Sequence, residues 1–75
     1  MLPQSSRRPI SGDVVITSNA GLHFLSVVPH PHRLSFSRLE QATNIAIQWA
    51  RANETSVWHT RDNETFDLVR EAAVA

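Results

Sequence analysis

The chain has 75 residues, no cysteine, no lysine, and seven arginines against seven acidic residues, for a formal net charge of zero. That length allows one domain, near the lower limit for a self-sufficient core. The missing cysteine excludes disulfides, thiolate metal sites and cysteine nucleophiles, and favours a reducing, cytoplasmic location. Hydrophobic residues make up 41%, too many for a wholly disordered chain, while every apolar run is too short to cross a membrane. Charge is unevenly spread. Residues 1–53 carry Arg7, Arg8, Arg33, Arg38 and Arg51 against Asp13 and Glu40, and residues 54–75 carry Arg61 and Arg70 against five acids. The overall neutrality argues against a dedicated nucleic-acid binder, whose affinity rests on phosphate neutralisation.

Residues 1–11 are polar and punctuated by proline, and read as a disordered tail. No apolar segment follows Arg7 and Arg8 closely enough to make a secretory signal. Residues 13–18, DVVITS, are β-branched and predict a strand. Asn19-Ala20-Gly21 predicts a tight hairpin turn, with Asn19 and Gly21 suited to positive φ. Residues 22–28, LHFLSVV, predict a second strand, ended by Pro29 and Pro31 because proline cannot donate to a ladder. Residues 30–36 read as a connecting loop.

The strongest local signal follows. Ser37 and Glu40 have the S-x-x-E spacing of a capping box. Beyond them Leu39, Ala42, Ala46, Trp49 and Ala50 fall on one side of a helix, with Ile45 and Ile47 at the edges and Glu40, Asn44, Gln48 and Arg51 opposite. Asn53 is a natural terminator. Residues 55–60, the turn 61–64 and residues 65–69 then predict a second hairpin, with Asn63 suited to the left-handed conformation. Residues 71–75 read as a tail. The expected fold is α+β: a small antiparallel sheet in ββαββ order, spanning residues 12–70, with one amphipathic helix on one face.

The run EQATNIAIQWARANETSVWHTRDNETF resembles a family of short bacterial proteins of unknown function. In that family an alanine-rich helix runs into a strand ending in a histidine and an Arg-Asp-Gly turn. The matching positions are Ala42, Ala46, Ala50, Val57, His59, Arg61 and Asp62, with Asn63 where the family has glycine. The resemblance covers about 30 of 75 residues. It implies the ββαββ order and no activity.

No constellation carries chemistry. His30-Pro31-His32, with His23 and His59, has the residue type of a metal site but not three or four convergent donors, so the pair reads as a proline-stiffened loop and no cofactor is expected. Ser, His and Asp occur without a nucleophile elbow or an oxyanion loop, so an enzyme is not expected. Asn53-Glu54-Thr55 and Asn63-Glu64-Thr65 match the glycosylation pattern but read as turn sequences. Trp49 and Trp58 stand out because tryptophan anchors interfaces. Apolar residues also fall on both alternation sets of the second strand, Leu22, Phe24 and Val28 on one and Leu25 and Val27 on the other. One helix cannot cover both sheet faces, so a non-catalytic module that self-associates or docks on a protein is the expected function, with Trp58, Trp49, Leu25 and Val27 as its contact residues. The alternative is a nucleic-acid-binding domain using Arg7, Arg8, Arg33 and Arg38.

Overall fold

A computed structural model describes residues 8–30, 33–62 and 64–71. The elements are β1 (Val14–Asn19), β2 (Leu22–Val27), β3 (Arg33–Phe36), α1 (Leu39–Asn53), β4 (Val57–Thr60) and β5 (Phe66–Arg70). They form one five-stranded sheet in the order β3-β2-β1-β4-β5, with α1 on one face.

The α+β class and the single helix stand as the residues predict, and two features of the sheet differ. The segment expected as a loop contains β3, which pairs antiparallel with β2 from His23↔Phe36 to Ser26↔Arg33. The sheet is mixed rather than antiparallel, because β1 pairs in parallel with β4 from Val14↔Val57 to Thr17↔Thr60. The second difference follows from the first. β3 runs in the same direction as β1, the helix brings the chain back, and β4 therefore starts beside the start of β1.

β1 occupies the centre and is covered on both faces: Val14, Val15, Ile16 and Thr17 are all buried. This continuous apolar run is what a strand buried on both sides requires. Val14 and Ile16 join Leu25, Val57, Ala42, Ala46 and Ala50 in the core between sheet and helix. The alanines lie at i, i+4 and i+8, one stripe of the helix. Their small side chains let α1 lie close to the sheet, and the larger Ile47 and Trp49 fill in from its flanks.

The start of α1 differs from expectation, and its end falls at Asn53 as expected. Leu39 is its first residue and Arg38 the N-cap, in extended conformation and without a side-chain cap. Ser37 is therefore one position too early to serve as one half of a capping box. Asn53 is the last helical residue and donates its side-chain amide to the Trp49 carbonyl at 2.9 Å. Glu54 takes the left-handed turn, at φ 56°. The β1–β2 turn is tight, as expected, but the left-handed residues are Ala20 (φ 53°) and Gly21 (φ 82°), while Asn19 closes the ladder opposite Leu22. Positive φ at both central positions is the type I′ pattern, which suits the twist of a two-residue hairpin. An alanine is strained there by about 1 kcal/mol. Asn63, Pro31, His32, Arg7 and the segments 1–7 and 72–75 lie outside the described residues.

Replacing Ala20 by asparagine restores the Asn-Gly pair that type I′ turns favour and is expected to raise unfolding stability by about 1 kcal/mol. A urea midpoint that stays put or falls for Ala20→Asn contradicts the strain at this turn.

Candidate functional site

Three places in the fold bring polar or apolar groups together. The first is Asp13, just ahead of β1, 5% exposed. Its Oδ2 accepts from the Trp58 indole N–H at 2.9 Å and from the Ile10 backbone N–H at 3.1 Å, while Oδ1 accepts from the Ser56 backbone N–H at 3.1 Å. Its own N–H donates to the Ile10 carbonyl and its carbonyl accepts from Val28. One carboxyl group thus ties together the N-terminal segment, the α1–β4 connection and β4. Gly12 makes the approach possible: at φ 97° it turns the chain into β1.

This arrangement explains Trp58. The alternation of its strand predicts that Trp58 faces away from Val57, and the register places it so, on the face without the helix beside Val15. It is not an exposed contact residue, however: only 3% of it is accessible. The indole is bonded to Asp13, Arg8 and Ile10 lie beside it, and Leu68 stands opposite on β5. The same register places Leu25 and Val27 on the face that packs against the helix.

The second place is an apolar cleft of about 500 Å³ between the C-terminal half of α1 and the β2–β3 edge. Leu25, Val27, Leu34, Ile45 and Trp49 supply its apolar walls. Three residues expected to form a contact surface, Trp49, Leu25 and Val27, therefore meet in one concavity, and Trp58 lies across the sheet from it. Sequence reasoning missed Leu34, because its segment read as loop. Leu34 is 59% exposed and Ile45 38% exposed, so the cleft has an apolar rim as well as an apolar floor.

The third place is a polar cluster where β1 ends. The Ser18 hydroxyl lies 2.7 Å from His23 Nδ1 and 2.8 Å from His59 Nε2. A hydroxyl has a single proton, so it donates to one ring nitrogen and accepts an N–H from the other. Burial holds the His59 pKa below its ordinary value of 6.5, helped by the positive charge of Arg61 and by His23, with Asp67 pulling the other way. The adjoining β4–β5 turn is organised by Asp62, whose Oδ1 accepts the backbone N–H groups of Thr65 and Glu64 at 2.9 Å each. Those bonds lower its carboxyl pKa. No group of three or more His, Asp or Glu side chains is placed to hold a metal ion among the described residues, and His23 and His59 meet at a shared serine. No described helix is long and apolar enough to cross a membrane.

Of the arginines considered for nucleic acid, two meet and one stands apart among the described residues. Arg8 and Arg33 reach the sheet face opposite the helix, where they line one concavity. Arg38 lies at the start of α1 beside Glu40, Gln41 and Asn44. Arg7 is outside the described residues.

Two measurements test this geometry. Asp13→Ala strands three donors, two of them buried, and is expected to cost about 3 kcal/mol of unfolding stability. Trp58→Phe is expected to cost less, and the double variant less than the sum, because both remove the same bond; strict additivity in urea denaturation contradicts the coupling. For His59, a depressed folded pKa means that protonation favours the unfolded chain. Stability is fully present above pH 6.5 and is lost as pH falls from there towards the folded value. His59→Gln is expected to narrow the difference between denaturation midpoints at about pH 8 and about pH 5, and an unchanged difference contradicts it.

No protein-family model, no curated protein and no solved structure matches this chain.

Proposed function

We propose that this domain is a non-catalytic interaction module whose partner is a second copy of itself, joined through the β3 edge and the cleft beside it. The observation that carries this reading is the cleft itself, an apolar concavity with an apolar rim that opens at an unprotected strand of the sheet. Three further points support it. The fully buried part of α1 consists of Ala42, Ala46 and Ala50, while its larger Leu39 and Ile45 remain 42% and 38% exposed. A helix whose bulky residues stand at its margin leaves much of the available apolar burial unused. β3 lies at the edge of the sheet, so no described strand pairs with its outer side. The formal net charge of zero removes the self-repulsion that keeps many small domains apart.

Two-fold pairing of β3 edges is self-complementary. It joins the two sheets and brings Leu34 of one copy towards the cleft of the other. The same cleft would serve a different protein presenting an extended apolar segment by strand addition.

Light scattering after size exclusion is expected to give a mass rising with concentration towards twice the 8.4 kDa of one chain. Leu34→Glu and Ile45→Glu are expected to hold the protein at one chain without loss of folded stability, since both side chains are already accessible. Leu68→Glu, on the far edge strand, is expected to leave the mass unchanged. A single-chain mass across the whole concentration range, or a dimer indifferent to Leu34→Glu and Ile45→Glu, overturns the reading.

A further inference from the structure

The sheet face opposite α1 has a chemistry of its own, although Arg33 of β3 borders the cleft as well. Cross-strand register places Thr17, Ser26, Arg33, Phe24 and Phe66 on this face. The N-terminal segment lies over part of it and brings Arg8 in. Arg33 Cζ stands 5.1 Å from the centroid of the Phe24 ring, and Arg8 Cζ stands 6.0 Å from that of Phe66. Both arginines line one concavity of about 320 Å³, together with Thr17 and Ser26. Among the described residues no carboxylate lines it.

We propose that this concavity is a phosphate-binding site, with the guanidinium groups of Arg8 and Arg33 as its two arms. Each arm lies against an aromatic ring, which attracts the cation through its π face. The ring restricts the long side chain and leaves the in-plane N–H groups available to a ligand. Two cations converging on one hollow without a lining carboxylate repel one another, and an anion between them removes that cost. A guanidinium offers a planar fork of donors that matches two oxygens of a phosphate. The Thr17 and Ser26 hydroxyls supply uncharged donors on the floor. A phosphate group reaches such a site either as a free ion or as part of a single-stranded nucleic-acid backbone, whose bases would then lie along a sheet face carrying Phe24 and Phe66.

The test is an amide chemical-shift titration of the full chain with inorganic phosphate against chloride at equal ionic strength, followed by the same titration with a single-stranded oligothymidine. Saturating shifts at Thr17, Ser26 and Arg33 are expected with phosphate and absent with chloride. Arg8→Gln and Arg33→Gln are each expected to weaken binding by about tenfold, the loss of one charge-assisted arm, and Arg51→Gln, on the helix, to leave it unchanged. Both arginines are exposed, and retained shift dispersion confirms that their variants stay folded. Oligothymidine binding at least tenfold tighter than phosphate, and falling with salt, identifies a nucleic-acid backbone as the source. Equal or weaker oligothymidine binding identifies a free phosphate. Shifts that do not saturate, that appear equally with chloride, or that survive both glutamine substitutions overturn the site.

Discussion

The carboxyl group of Asp13 is the contact on which the rest of this fold depends. It accepts hydrogen bonds from Ile10, three residues back, and from Ser56 and Trp58, more than 40 residues ahead. A buried carboxyl is costly unless its oxygens are satisfied, and here both are. In return it holds the N-terminal segment over the sheet and sets the height at which β4 enters beside β1. Trp58 can then sit under that segment on a sheet face that no helix covers. The two faces of the sheet are thus closed by different means, α1 on one and a tethered stretch of chain on the other.

The helix side shows a second economy. With only alanine at its fully buried positions, α1 approaches the central strands closely. It is too narrow to cover the outer ones with large side chains. The uncovered strip along β2 and β3 becomes the cleft. Its position is therefore a consequence of which helix residues are small, rather than of any dedicated loop. The arginine-lined hollow has a comparable origin on the other face, where the tether brings Arg8 across towards Arg33.

Much of this architecture was legible in the sequence and some of it was not, for physical reasons that can be named. The helix was readable because alanine and larger apolar residues recur at helical spacing over four turns. The β1–β2 turn was readable from Asn19 and Gly21 flanking Ala20, although the strain fell on Ala20 itself. β3 was not readable. Arg33, Leu34, Ser35 and Phe36 are mostly exposed on an edge strand, so they lack the burial that produces alternation. Missing one strand inverted the expected direction of β4, which is why a parallel pair was read as antiparallel. The faces of β2 were not assignable from alternation alone, because Leu25, Val27 and Phe24 are all apolar. Asp13 looked like an ordinary residue at the head of a strand, since nothing local announces that its partners lie more than 40 positions away.

The parallel pairing of β1 with β4 also orders the way the chain assembles. β1, β2 and β3 are joined by short connections, and forming their ladders closes only small loops. β4 reaches β1 only after the helix has crossed the sheet, so that pair closes a loop of about 40 residues and bears the larger entropic cost. On loop-closure entropy the three-stranded meander is expected to form first and the capture of β4 by Asp13 to follow. That capture buries Trp58, so with Trp49 replaced by phenylalanine the remaining indole's fluorescence is expected to report the joining of the two halves of the sheet.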